Sequence, residues 1–216
     1  MTIGYLPPAH AEEDERRLLD AIRHYSFCTL IAVVDGEPAV AQAPVLVDPS
    51  LGPKGGFRVH LARGNAVAVA GADGARITLV ATGPYAYISP DWYGIDDQVP
   101  TWNYVAVYAR GVARRLDTGE LHAQVATVSA LHEERLAPKV PWRLDKLSPG
   151  RLERLYAGLI GLAIPFDAIE GKWKLSADKP EAARAGVIAG LEARGDSASL
   201  AIAALMQGLM PRASGR

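Results

Sequence analysis

The spacing of apolar residues predicts a chain that begins with a helix and continues as a series of short strands. Over Glu12–Tyr25, the residues Leu18, Leu19 and Ile22 share one helical face and the first turn is acidic, which favours a helix. The pattern then changes to short apolar or alternating runs separated by turn residues, which is typical of strands. Strands are predicted at Phe27–Val34, Val40–Leu46, Phe57–Ala62, Arg76–Thr82, Tyr85–Ser89, Asn103–Leu116 and Gly161–Ile169.

Helical periodicity returns in the second half of the chain, where the helices carry start signals. Asp117 and Glu120 have the spacing of a capping box, and Ser148 followed by Pro149 supplies an N-cap and a first-turn proline. Two further helices are predicted at Pro180–Ala193 and Ser197–Leu209.

Strands and helices in this order predict a mainly β fold with flanking helices (α+β). Several short strands with turn residues between them favour an antiparallel barrel or a sandwich. We expect residues 1–216 to form a single domain, with a helical appendage over about 179–216.

The composition fits a folded globular protein and disfavours several other classes. Hydrophobic residues make up 49% of the 216 residues, and no apolar run approaches the roughly 20 residues that a membrane-spanning helix needs. The segment Met1–Pro8 lacks the basic start and apolar core of a signal peptide, so we expect a cytoplasmic protein. The net charge of −1 gives no support to a polycation that binds nucleic acid.

Cysteine and histidine give no sign of a disulfide or of a metal site. The single cysteine, Cys28, lies in an apolar run and is expected to be a buried, inert thiol. The five histidines form no H-E-x-x-H motif, and no cysteine pair completes a zinc site. The phosphate loop, the dinucleotide fingerprint and the G-x-S-x-G elbow are also missing, which disfavours the commonest single-motif enzyme classes.

The stretch Gly83–Tyr104 concentrates aromatic residues and prolines. Flat rings with polar atoms, held by a stiff chain, suit stacking on a planar ligand. The same composition would also suit an aromatic cluster that closes one end of a barrel, and both interpretations stay open. The aromatic residues are Tyr85, Tyr87, Trp92, Tyr93, Trp102 and Tyr104, and the prolines are Pro84, Pro90 and Pro100.

Two shorter segments offer cationic or amide side chains. In one, His60, Arg63 and Asn65 leave a predicted strand near a possible helix start, which is either an anion site or an ordinary strand exit with a solvated arginine. In the other, Lys172 and Lys174 flank Trp173 directly after a predicted strand, where they hold a phosphate, position a partner's ligand, or form a surface turn.

Together these segments resemble the PaiB-like family of FMN-binding negative transcriptional regulators. The motifs occur in the same order over nearly the whole chain and include the helix at Arg184–Leu191. The other motifs are Tyr5-Leu6-Pro7 with its acidic helix, Phe27–Val34, His60-x-x-Arg63-x-Asn65, Gly83–Tyr93, Val99–Tyr104 and Glu170–Ser176.

The resemblance implies an antiparallel split β-barrel with C-terminal helices, of the pyridoxamine-oxidase-like superfamily. It also implies a homodimer with FMN between the subunits. Family members usually continue the lysine motif as Ser-Gln-Asn, whereas Ser176 is followed here by Ala177 and Asp178, which weakens any amide contribution. The implied cofactor-binding residues are His60, Arg63 and Asn65 near the phosphate, Thr101, Trp102 and Asn103 near the isoalloxazine or ribityl part, and Lys172 and Trp173 closing the site.

Three functions remain open from the sequence. The first is a flavin-binding transcriptional regulator or redox sensor, and the second is a flavin-dependent oxidoreductase or haem-degrading relative. The enzyme has few candidate acids or bases, although a flavin would carry the hard chemistry itself. The third, direct DNA contact, lacks a convincing helix-turn-helix and a basic stripe. The candidate acids and bases are Tyr85, Tyr87, His60 and Asp91.

Overall fold

The computed structural model describes residues 2–209 of the protein. Within that range the chain forms ten strands and six α-helices. The strands are β1 (Ala11–Glu12), β2 (Phe27–Val34), β3 (Glu37–Pro44), β4 (Leu46–Asp48), β5 (Gly56–Ala62), β6 (Arg76–Ile88), β7 (Thr101–Val112), β8 (Arg114–Arg115), β9 (Leu159–Pro165) and β10 (Ala168–Lys174). The helices are α1 (Glu15–His24), α2 (Ala66–Ala72), α3 (Thr118–Glu134), α4 (Pro149–Ala157), α5 (Glu181–Arg194) and α6 (Ser197–Gln207).

The chain divides into two compact units, and we describe each by itself. Within the described range, unit 1 consists of residues 2–14, 82–107 and 170–209, and unit 2 of residues 15–81 and 108–169. The long strands β6 and β7 cross the boundary, so each contributes residues to both units. None of the helices within residues 2–209 combines the length and the apolar character that crossing a membrane requires.

Unit 2 is built around an antiparallel hairpin and a second, four-stranded sheet. Strands β2 and β3 pair from Phe27 opposite Pro44 to Val34 opposite Glu37. The intervening turn has Asp35 at φ 52° and Gly36 at φ 84°, as a two-residue turn with positive φ at both central positions requires. The second sheet has the order β4-β5-β9-β8, and its fully buried side chains include Phe57, Leu162 and Ile164.

Helix α3 of unit 2 begins with the predicted capping box. The Asp117 carboxylate accepts the Glu120 backbone N–H at 2.8 Å, and the Glu120 side chain accepts the Asp117 N–H at 3.0 Å. The Arg114 guanidinium also donates two bonds to Glu120, at 2.7 and 2.8 Å. These bonds, that from Arg114 first, lower the pKa of Glu120 to about 2.

Unit 1 combines strands with the last two helices. Strand β1 pairs with β10 through Ala11 opposite Lys172, and the sheet continues from β10 to β7 and β6. Helix α5 contacts α6 and the 3-10 turn Pro90–Tyr93. Gly186 permits this approach, because a Cβ there would lie 2.2 Å from the carbonyl oxygen of Trp92.

The predicted fold class and most predicted elements are confirmed, with four differences in the strands. The predicted strands Val40–Leu46 and Asn103–Leu116 are each divided, the first between β3 and β4 and the second between β7 and β8. The segments predicted as two strands around Gly83 form one strand, β6. Its ladder with β2 covers Thr78–Val80, so the later Pro84 lies outside that ladder and removes no bond from it. The predicted single strand Gly161–Ile169 is wrong, because the chain turns after Pro165 and continues as β10.

Candidate functional site

The predicted aromatic stretch has an exposed group on strands β6 and β7, whereas Tyr93, in the 3-10 turn, is buried. Tyr85, Tyr87 and Trp102 are 57%, 40% and 51% exposed. Their rings are adjacent, since the Trp102 centroid lies 6.0 Å from that of Tyr85 and 5.8 Å from that of Tyr87. These three residues form what we call the aromatic surface of unit 1. Such exposure leaves their ring faces accessible to a planar ligand.

Lys172 is a buried cation in β10, not part of a surface turn. It is only 7% exposed, and its Nζ donates to the Tyr5 carbonyl oxygen at 2.9 Å. The ammonium also lies 5.1 Å from the ring centroid of Tyr5 and 5.4 Å from that of Tyr104, within the range of cation–π attraction. The surface-turn interpretation of this segment is therefore wrong, because Lys172 and Trp173 lie within a paired strand.

Asn103 points to the other side of β7 and is fully buried. Successive side chains of a strand point to opposite faces, so the Asn103 side chain lies opposite that of exposed Trp102. Its Nδ2 donates to the Ser176 hydroxyl at 3.1 Å and contacts the Met206 sulfur at 3.3 Å. The Ser176 hydroxyl lies 3.2 Å from that of Tyr93. The polar contacts of the Asn103 amide are therefore made within the interior of unit 1.

Ser176 holds an unusual backbone conformation beside this network. Its φ of 57° lies in the left-handed region, which costs a residue with a side chain roughly 1 kcal/mol. Burial and the bonds of its hydroxyl to Asn103 and Tyr93 hold it there. The chain therefore turns sharply just after Lys174 and brings Asp178 and Lys179 back towards the same place.

A small cavity of about 150 Å³ opens at this turn within unit 1. The Lys174 ammonium donates to the Thr101 hydroxyl, and the Lys179 ammonium lies 5.6 Å from the ring centroid of Tyr93. The His10 Nδ1 atom is buried and has no hydrogen-bond partner among the described residues. The cavity is lined by His10, Tyr93, Gln98, Val99, Thr101, Asn103, Lys174, Ser176, Asp178 and Lys179.

The other predicted group lies in unit 2, at the exit of β5. Asn65 caps helix α2, because its side-chain oxygen accepts the Val67 N–H at 2.9 Å. The exposed Arg63 guanidinium donates from Nε to the Ala157 carbonyl at 2.7 Å. Burial lowers the pKa of His60, whose Nδ1 is buried without a partner among residues 2–209. His60 is therefore a neutral group near pH 7, and Arg63 is the cation of this segment.

A second cavity in unit 2, of about 330 Å³, borders Arg63. Arg115 and His122 also line it, and the His122 ring stacks on Tyr156 with a centroid separation of 3.8 Å. The carboxylates of Asp117 and Glu153 share the lining, so its charges are mixed. This mixture gives no preference for an anion.

Cys28 is buried and has no reactive character, as the sequence predicts. Burial raises the pKa of its thiol to about 12, so the thiolate is scarcely populated near neutral pH. No group of three or more metal-binding side chains occurs in the part of the chain that the structure describes.

The structure groups the predicted residues by unit. His60, Arg63 and Asn65 lie in unit 2, and the remaining predicted residues lie in unit 1. The side chains of Thr101 and Asn103 line the small cavity, whereas that of Trp102 belongs to the aromatic surface. Sequence reasoning missed His10 and the cavity beside Lys174, although the two-residue period of β7 already places Thr101 and Asn103 on one face.

Comparisons with known proteins identify a family model that matches the chain and proteins that are similar to it. The family model described as "Putative FMN-binding domain" matches residues 4–168. The "Protease synthase and sporulation protein PAI 2" of Bacillus subtilis (strain 168) is 28% identical over 212 residues, which cover 94% of this chain and 96% of that protein.

Solved structures share the fold at low sequence identity. An FAD and heme binding protein from Mycobacterium smegmatis has a TM-score of 0.54 at 17% identity, over 84% of this chain and 80% of that one. A conserved hypothetical protein from Mycobacterium tuberculosis has a TM-score of 0.55 at 13% identity, over 82% of this chain and 95% of that one. The likeness confirms the predicted antiparallel split-barrel fold.

Proposed function

Because the chain belongs to the FMN-binding domain family, we propose that it binds the flavin ring of FMN on the aromatic surface of unit 1 and serves as a flavin-linked regulator. The family match confirms FMN as the predicted cofactor. The exposure of Tyr85, Tyr87 and Trp102 carries the proposed position of the ring, because an isolated protein rarely leaves three adjacent aromatic rings open to solvent without a binding role.

Unit 1 offers the flavin ring both a flat apolar contact and a nearby positive charge. The rings of the aromatic surface supply stacking area, and the phenols of Tyr85 and Tyr87 supply polar atoms at its edge. The Lys172 ammonium faces the ring of Tyr104. Tyr104 follows Trp102 by two residues in β7, so the two side chains lie on the same face of the strand. FMN, when bound, supplies one- and two-electron redox chemistry, which charges near its ring tune.

Separately, for unit 2, we propose that Arg63 offers a cationic contact to a phosphate group. Its Nε is already bonded to Ala157, so an incoming phosphate would bind the remaining guanidinium N–H groups. His60 and Asn65 act through neutral donors, because His60 is uncharged near neutral pH and the Asn65 oxygen is used by the helix cap. Thr101 and Asn103 contact FMN only through their backbone, since their side chains face the cavity on the other side of β7.

We favour a regulatory role over an enzymatic one. The name of the Bacillus subtilis relative refers to protease synthesis and sporulation, which are cellular programmes. The aromatic surface consists of Tyr85, Tyr87 and Trp102 and includes no carboxylate, histidine or lysine that could act as a general acid or base. Flavin binding coupled to a change in a partner needs no catalytic acid.

A homodimer is part of the proposal. The outer side of the β2–β3 hairpin exposes Phe27, Val33 and Val40, which are 70%, 66% and 55% accessible. A sheet face with several exposed apolar side chains is typical of a surface that pairs with another chain. We expect Val40→Asp to convert a dimer into a monomer by light scattering, while Val69→Asp on helix α2 leaves the mass unchanged.

Titration of the purified chain with FMN tests the central proposal. Binding should quench flavin fluorescence and saturate at one FMN per chain. Trp102→Ala should weaken binding roughly tenfold, the effect of one lost stacking partner of about 1.4 kcal/mol, whereas Trp102→Phe should retain most of the affinity. The control Trp142→Ala, in unit 2, should have no effect. If Trp102→Ala bound FMN with unaltered affinity, the proposal that the flavin ring binds on the aromatic surface would be wrong.

Two further measurements address the other functions. Salt-dependent binding of the FMN-loaded protein to a specific promoter fragment would support direct DNA contact. Oxidation of a nicotinamide cofactor, or a spectral change on addition of haem, would support the oxidoreductase.

A further inference from the structure

The cavity between Lys174 and Lys179 has a composition that the proposed flavin site does not use. It holds about 150 Å³, well below the roughly 300 Å³ at which pockets for drug-sized ligands begin, so a flavin ring does not fit. Its lining includes two ammonium groups and one carboxylate, that of Asp178. The cavity therefore carries net positive charge in a space suited to a single small group.

The polar groups of the cavity keep hydrogen-bonding capacity that their contacts within unit 1 do not use. Lys174 is half-buried and donates one of its three protons to Thr101, which leaves two protons to donate elsewhere. Lys179 lies 3.5 Å from the Asp178 carboxylate and faces the Tyr93 ring. The buried Nδ1 of His10 has no partner among the described residues, although buried polar atoms are normally hydrogen-bonded.

The strained turn at Ser176 is what brings these groups together. The left-handed backbone of Ser176 reverses the chain between Lys174 and Lys179, and its hydroxyl is fixed by Asn103 and Tyr93. Backbone strain of this kind is concentrated at ligand sites, where the surrounding structure maintains it. The donors are thus held in place before any ligand arrives.

We propose that this cavity binds a small oxyanion, a phosphoryl or carboxylate group, between the ammonium groups of Lys174 and Lys179 with His10 as a further donor. The site goes beyond the proposed flavin function, because it lies on the side of β7 opposite Trp102. A dianionic phosphate binds more tightly than a monocarboxylate, since two cations face it. Asp178 opposes binding by partly neutralising Lys179.

Calorimetric titration of the full-length protein with inorganic phosphate, and separately with acetate, tests the site. Lys174→Gln and Lys179→Gln should each weaken phosphate binding roughly tenfold, the loss of one charge-assisted hydrogen bond. Asp178→Asn should strengthen it, which a variant that merely unfolds would not do. The control Lys54→Gln, an exposed lysine in a loop of unit 2, should leave the affinity unchanged.

The outcomes separate this proposal from that for FMN. Saturable binding of either oxyanion, weakened by both lysine variants and strengthened by Asp178→Asn, supports the site whether or not FMN binds. Absence of saturable binding of both probes, or affinity that neither lysine variant alters, overturns it. Competition between phosphate and FMN would also overturn it as a separate site, because the cavity would then hold the cofactor's own phosphate.

Discussion

The two units of the protein use their polar side chains in opposite ways. Unit 1 buries Asn103, Lys172 and Ser176 in its interior while exposing aromatic rings. Unit 2 buries polar side chains such as Gln124 as well, but places its charged network, such as Arg114 with Glu120, where solvent reaches it. Buried polar groups stabilise a fold only when every partner is present, so they fix side-chain positions at a risk to stability. This difference fits the proposal that the flavin ring and a small oxyanion bind to unit 1.

The strongest test of the comparison is a matched pair of Asn→Asp variants, one in each unit. Asn103→Asp puts a carboxyl group into the buried network of unit 1 and should lower the free energy of unfolding by about 3 kcal/mol at pH 7, because a carboxylate is desolvated there and cannot donate the bond that the Asn103 amide makes to Ser176. Asn65→Asp in unit 2 should have almost no effect, since aspartate caps a helix as well as asparagine.

The pH dependence of this pair gives an independent check. Burial should raise the pKa of the new carboxyl group at position 103 above the ordinary value of about 3.9. The variant should then be least destabilised below that ordinary pKa and lose stability as the pH rises through the raised one. Urea unfolding at acidic and neutral pH measures the difference. Equal destabilisation at both pH values would contradict a buried carboxylate as its cause.

The next largest effect is expected at Lys172, where unit 1 buries a cation. Lys172→Met keeps the apolar stem but removes the hydrogen bond to Tyr5 and the charge facing two rings. We expect a loss of about 1–2 kcal/mol in unfolding free energy and faster amide exchange in the N-terminal segment before β1. Lys54→Met, at an exposed position of unit 2, is the control. Increased stability in Lys172→Met would mean that desolvation of the cation costs more than its contacts return.

The sequence predicts the elements of both units better than the site in unit 1. Local signals decide the hairpin at Asp35 and the capping box at Asp117, because each acts over a few residues. The position of Lys172 depends on β1 pairing with β10, residues more than 150 positions apart in the chain, which no local pattern encodes. The family resemblance implies that Trp102 and Asn103 both bind the cofactor. Because side chains alternate along β7, however, the Trp102 indole is exposed whereas the Asn103 amide is buried.

The smallest effect is expected in unit 2, at the ion pair of Glu120 with Arg114. The pKa of Glu120 is lowered to about 2, so the pair contributes stability above the ordinary carboxyl pKa of about 4.3, and that contribution is lost as the pH falls towards 2. Solvent screens this pair, so we expect Glu120→Gln to cost less than about 1 kcal/mol at pH 7.

The glutamine variant isolates the charge of Glu120 from its capping role. Glutamine also serves at this position of a capping box, so the bond to the Asp117 N–H is kept while the ion pair is lost. Unfolding free energies of the wild type and Glu120→Gln should differ at pH 7 and converge as the pH approaches 2, with Glu37→Gln as a charge-matched control. A loss at pH 7 as large as that of Asn103→Asp would show that unit 2 also depends on a polar network, and the contrast between the units would fail.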